Sequence, residues 1–310
     1  MSRQFYPLVA LAVFGSLLIC GAAVMAIPSV ARKANSAAVG AKLPDAEGWY
    51  LGYYNGGHDH VTMYLNLDDA AEALRSADVL LLGNSRMLYA MDSEEIQAFE
   101  RRTNLRCYVL AFAYSEMCEF PQKLIERYDL HPKWVVINAD PFFVKETSKM
   151  AKKAMTMTPW EARKAMFEAQ VGLAVHRQMD SWLPHLFEQN PAWVYFRSYR
   201  DGSIFVSSTK GKPSLAESNP ISWEITAELI QTFEEFQKNM KSRGVGTALT
   251  TIPPTVAAPM TELAEKSHTP HFYSKVVQLK TSDGSHLNPE SAKRFSESFF
   301  RDLERIVNSD

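Results

Sequence analysis

The sequence predicts an α/β domain built on a parallel β-sheet. Short β-branched and apolar runs alternate with stretches of helical spacing along the body of the chain. The first and third of these runs are apolar without interruption, the pattern of strands covered on both faces. The chain has 310 residues, 46% hydrophobic and 22% charged, which is enough apolar material for a substantial core.

The chain opens with Tyr6 to Ile27, about twenty residues without a charge, long enough to cross a bilayer as a helix. Residues 1–27 therefore read as a transmembrane anchor, with a signal peptide cleaved near Val24-Met25-Ala26 as the alternative. Arg3 precedes the span and Arg32, Lys33 and Lys42 follow it, so charge alone does not orient it. Residues 28–44, rich in Ala, Ser and Lys, read as a linker, and 45–310 as the folded body.

Within the body the expected strands are Asp78–Gly83, Leu105–Phe112, Trp134–Asn138, Gly246–Thr251 and Phe272–Leu279. Asp92 followed by Glu95 is a capping-box start for a helix through Arg102. Glu119–Tyr128 and Trp223–Arg243 also carry helical spacing. Asn288 as cap and Pro289 at the first position open a last helix, whose Ala292, Phe295, Phe299, Leu303 and Ile306 mark one apolar face. Between the third strand and the helix near Trp223, roughly residues 145–220, lies a stretch much longer than an ordinary α/β connection. Its first part, Pro159 to Phe187, reads as an amphipathic helix; its second, with Asn190-Pro191 and turns at Gly202 and Gly211, reads as irregular. Its aromatics Trp160, Trp182, Trp193, Tyr195 and Phe196 are either a substrate-binding lid or packing core.

Two segments could carry chemistry. Gly83-Asn84-Ser85-Arg86 ends the first strand, the edge where open parallel sheets place their ligands. A helix starting there would direct the Ser85 backbone N–H outward, toward a developing oxyanion. Asp283-Gly284-Ser285-His286-Leu287 lies between the last strand and the last helix. A serine hydroxyl needs an imidazole to take its proton, and the imidazole needs a carboxylate to hold its other nitrogen. Either segment alone reads as a helix cap or an Asp-Gly turn. Together they can meet at one edge of a doubly wound sheet.

The Gly83-x-Ser85 turn after the first strand and the Asp283-x-x-His286-Leu287 motif before a C-terminal helix resemble the first and last blocks of SGNH/GDSL hydrolases. The stretch Leu81 to Tyr89 is similar to the "GSSR" variant, found in membrane-tethered proteins linked to cell-envelope and polysaccharide modification. The resemblance runs from about residue 75 to the end, apart from the insertion. It implies a flavodoxin-like three-layer α/β/α sandwich, with Ser85 as nucleophile, His286 as base and Asp283 as its orienting carboxylate. It implies serine-dependent O-acyl esterase or O-acyltransferase activity on a cell-envelope glycan, and a catalytically inactive scaffold or glycan-binding protein is the alternative. It also places the body in the periplasm or outside the cell. Expected partners are the membrane, a glycan or acylated small molecule, and a membrane acyltransferase.

The family's middle blocks match less closely. No glycine stands in Ala111-Phe112-Ala113-Tyr114-Ser115, so a backbone N–H of Tyr114 or Ser115 would serve as oxyanion donor. Asn138 is the expected side-chain donor, and a different register would put Asp140 there, where an ionised carboxylate would repel an oxyanion.

Other polar groups are expected to have structural roles. His58-Asp59-His60 offers two potential metal ligands without a third at recognisable spacing, and reads as a solvated loop. His131 reads as a loop residue, and the basic residues from Lys145 to Lys164 as a solvated helix face or a contact with anionic lipid. Of the cysteines Cys20, Cys107 and Cys118, the last two read as buried thiols, with a disulfide as the alternative. No metal or other cofactor is expected, and a net charge of -2 gives no electrostatic reason for nucleic-acid binding.

Overall fold

A computed structural model describes residues 48–54, 56–113, 116–182, 194–208, 214–216 and 220–308. The apolar span at 1–27 and the linker at 28–44 lie outside the described residues. Among the described residues no helix is long and apolar enough to cross a membrane.

The body is an α/β unit whose central sheet has four parallel strands in the order β3-β2-β4-β8. These are β2 (Val79–Gly83), β3 (Cys107–Ala111), β4 (Trp134–Asn138) and β8 (Gly246–Thr250). Pairing is in register throughout, with Val79 opposite both Cys107 and Trp134, and Trp134 opposite Gly246. The strands alternate side chains between two buried faces. Leu80, Leu82, Leu110, Val135 and Ile137 pack in one cluster with residues of α5 (Glu119–Arg127), α8 (Ala227–Ser242) and α9 (Ala258–Lys266). Val79, Leu81, Val109, Val136 and Ala248 pack in the other with α3 (Ser85–Ala90), α4 (Ser93–Thr103) and α10 (Pro289–Val307). Burial on both sides explains why these strands read as unbroken apolar runs.

The expected caps form. Asp92 accepts the N–H groups of Glu94 and Glu95, and Asn288 accepts that of Ser291. The apolar face of α10 is buried through Ala292, Phe295, Phe299 and Leu303. The expected helix near Trp223 starts four residues later, at Ala227, with Thr226 as its cap.

Two expectations are corrected. Phe272–Leu279 is not a strand: after an isolated bridge from His271 to Leu249 the chain leaves the sheet. Phe272 and Val276 contribute apolar contacts singly, Ser274 donates to Asp302, and Gln278 takes a positive φ of 57°. A strand needs a two-residue period, and this segment anchors at irregular intervals instead. The second part of the insertion is not irregular. It contains β5 (Val194–Ser198) and β6 (Ile204–Ser208), which pair antiparallel with each other and with β1 (Trp49–Tyr53). Tyr195 and Phe196 are core residues, both 1% exposed. The β5–β6 turn docks on the central sheet: the Asp201 carbonyl accepts from the N–H of Val109, and Gly202 lies so close that a Cβ would collide with the Val109 carbonyl. The first part of the insertion is helical, as α6 (Lys149–Thr156) and α7 (Pro159–Trp182).

Candidate active site

Ser85 is the first residue of α3, immediately beyond the carboxyl end of β2. Asn84 caps this helix, its side-chain oxygen accepting the Arg86 N–H at 3.0 Å. The N–H of Ser85 is among the first-turn donors that a helix leaves without an internal partner. Gly83 permits the strand-to-helix turn, because a Cβ there would sit 2.8 Å from that of Met87 and 3.0 Å from that of Asn138.

The other half of the site is a turn between β9 (Lys280–Thr281) and α10. Gly284 adopts φ 86°, and the Asp283 Oδ1 accepts the N–H groups of Ser285 and His286, each at 2.9 Å. The Asp283 carboxylate is thereby fixed with Oδ2 2.7 Å from Nδ1 of His286. The His286 Nε2 lies 2.8 Å from the Ser85 Oγ. Residues 201 positions apart in sequence thus form one hydrogen-bonded chain.

The protonation pattern follows from the acid. Burial pushes the Asp283 carboxyl up, but the hydrogen bonds and charge of His286 and the nearby backbone N–H groups outweigh it and bring the pKa down to about 2. An ionised carboxylate can only accept, so Nδ1 of His286 carries the proton. In the neutral imidazole Nε2 then has a lone pair, and Ser85 donates its hydroxyl hydrogen to it. The Tyr89 ring packs against His286 with centroids 4.7 Å apart and planes tilted by 43°. The His286 side chain is 19% exposed and that of Asp283 30%, so the hydrogen-bonded chain is most open to solvent at its carboxylate end.

The structure also places Asn138 and Asp140. Asn138, the last residue of β4, is fully buried, and its Nδ2 lies 3.4 Å from the Asn84 oxygen. Asp140 is fully buried and pairs with Nε of Arg86, while accepting from Thr255 at 2.9 Å. Arg86 also donates through Nη1 to the Ser285 hydroxyl at 3.2 Å. Tyr114 and Ser115 lie outside the described residues. Sequence reasoning missed Arg86, although it stands in the Gly83–Arg86 turn itself, and missed the contact of Tyr89 with His286.

The His58–His60 segment is not a solvated loop. Asp59 and His60 are fully buried at the start of α1 (Asp59–Tyr64). His60 lies between two carboxylates, with Nδ1 2.9 Å from Asp59 and Nε2 3.0 Å from Glu116. Tyr195 and Arg197 complete the partners of Asp59, at 2.9 and 3.4 Å. Burial favours the neutral imidazole, but the two carboxylates outweigh it and raise the His60 pKa to about 9. Among the described residues no group of three or more His, Cys, Asp or Glu side chains could hold a metal ion. Cys107 and Cys118 are free and buried, and burial raises the Cys118 thiol to about 12.

No family model, curated protein or solved structure matched the chain.

Proposed function

We propose that this protein is a serine-dependent O-acyl esterase or O-acyltransferase of the SGNH type, acting on a cell-envelope glycan. The observation that carries the reading is the Ser85–His286–Asp283 chain, with distances of 2.8 and 2.7 Å. In that reaction Ser85 attacks the ester carbonyl as His286 removes its proton, and the resulting imidazolium is stabilised by Asp283. Collapse of the tetrahedral species releases the alcohol, which takes its proton from His286. Water or a sugar hydroxyl then takes the acyl group from Ser85 by the same steps. Hydrolysis and transfer therefore use the same residues.

The strand order β3-β2-β4-β8 between two helical layers supports the flavodoxin-like sandwich that the resemblance implies. A body outside the cytoplasm, tethered by the apolar segment at 1–27, belongs to the same proposal, as do a glycan or acylated small-molecule substrate and a membrane acyltransferase partner.

One observation favours a second reading, a non-catalytic glycan-binding scaffold. The Asn138 amide nitrogen donates to Asn84 at 3.4 Å, which commits one of its two N–H groups away from a developing oxyanion. Labelling of the full-length chain with a fluorophosphonate separates the two. An acyl-transferring serine labels, and Ser85→Ala and His286→Ala each abolish labelling without loss of folded circular dichroism. A folded wild type that resists labelling would overturn the enzymatic reading.

A further inference from the structure

A cavity of about 490 Å³ lies between α1, α6 and α7, and none of Ser85, Asp283 and His286 lines it. The volume is in the range of sites that bury a small organic ligand. Met150, Met157, Met166 and Val61 supply much of the apolar wall. Thioether side chains are unbranched and flexible, and they repack around irregular apolar shapes, an acyl chain among them. On α7 the lining residues Ala165, Ala169 and Gly172 share one helical face and leave a channel along the axis. His58 Nε2 lies 3.1 Å from the Tyr54 carbonyl, and burial lowers the His58 pKa, so the inner wall carries no charge.

Charge is confined to the rim. Lys149 and Lys153 stand one turn apart on α6, both exposed, and neither has a carboxylate partner among the described residues. The acidic lining residue, Glu168, is already paired with Lys164 at 3.9 Å. A mainly apolar interior below two ammonium groups that meet no carboxylate among the described residues matches an amphiphile with an anionic head. A second feature, on a different face of α7 from the cavity, points to the bilayer. Trp160, in the first turn of α7, is 61% exposed, and Val171, three turns along the same face, is 44% exposed. Tryptophan with neighbouring lysines is the composition of a membrane–water interface.

We propose that this cavity takes an acyl chain of an anionic phospholipid, with Lys149 and Lys153 on its head group. The site is independent of the Ser85 chemistry, so either proposal can fail alone.

The test uses the full-length chain in phosphatidylcholine vesicles containing phosphatidylglycerol with a diazirine near the end of one acyl chain. After photolysis, peptide mass spectrometry should place adducts on residues 149–157 and 162–172. Ala165→Trp fills part of the channel and should sharply lower those adducts while folded circular dichroism is retained. Lys149→Gln and Lys153→Gln, on exposed side chains, should each lower the yield roughly fivefold. The same diazirine chain on phosphatidylcholine should label these peptides less than the phosphatidylglycerol probe. Absence of adducts on the cavity peptides, or a yield that ignores both sets of substitutions, would overturn the proposal. So would loss of the adducts on adding inorganic phosphate together with equal labelling by the two lipids, which would mark a simple anion site.

Discussion

The guanidinium of Arg86 pairs through Nε with Oδ2 of Asp140, so the carboxylate beyond β4 is neutralised by the side chain that follows Ser85. The same guanidinium donates to Ser285 at 3.2 Å. One side chain therefore joins the turn after β2, the loop after β4 and the turn that carries His286. An unpaired aspartate at this place would oppose negative charge developing near Ser85; as an ion pair it adds no net charge. In the sequence alone Asp140 had no evident partner, and the structure supplies its counter-charge.

Arg86→Ala should destabilise the fold by about 3–5 kcal/mol, because it leaves a fully buried carboxylate with no cation. Adding Asp140→Asn should recover much of the loss, since an amide needs no counter-charge. Urea denaturation of the two single variants and the double variant measures the coupling. Equal, additive losses would mean that the pair is not energetically linked.

Asp283→Asn should lower the rate of fluorophosphonate labelling by about 10³–10⁴-fold while leaving the fold intact. An asparagine can turn its amide nitrogen toward Nδ1, which reverses the tautomer and removes the lone pair from Nε2. The acid's own titration lies far from neutrality. With a folded-state pKa of about 2, its contribution to stability is present above the unfolded value of about 4 and is lost as pH falls toward 2. Stability curves that lose this acid limb only in Asp283→Asn would check the assignment.

His60 predicts the opposite slope. Its folded pKa of about 9 exceeds the ordinary 6.5. The stabilisation is therefore complete below pH 6.5 and is lost as pH rises through about 9. The shift corresponds to about 3 kcal/mol. His60→Gln should flatten this alkaline slope and destabilise the protein at neutral pH, because Asp59 and Glu116 lose their shared cation. Thermal melts from pH 6 to 10 on both proteins provide the comparison.

Gly83→Ala should cost about 1–3 kcal/mol, since the added methyl meets Met87 and Asn138 with no room to relax. It should also slow labelling of Ser85, because Met87 lies on the helix that Ser85 begins. A variant with unchanged stability and unchanged labelling would show that the turn has more space than the distances indicate.

The central layers of this protein were legible in its sequence because each followed from local pattern. Unbroken apolar runs marked β2 and β4, and Asp92 and Asn288 marked helix starts. Ser85 was legible as a candidate because it follows a strand of the parallel sheet, and His286 because Asp283 stands three residues before it, although the strand expected to lead to that turn does not form. What sequence could not supply was contact across long separations. Tyr195 pairs with Tyr53 across the β1–β5 register, and its hydroxyl bonds to Asp59. His60, which by spacing alone looked like a solvated metal-ligand candidate, is closed off by Glu116, 56 residues away. Arg86 reaches Asp140 and Ser285 only because three strand-end loops converge.

By itself, then, the sequence determined which residues could form elements and which could do chemistry, because propensity, periodicity and capping act over a few neighbouring residues. Only the tertiary structure decided which of them meet. The 2.8 Å contact of Ser85 with His286, the neutralisation of Asp140 and the burial of His60 all depend on chain segments packed together by the shared core, and no local rule encodes such distances.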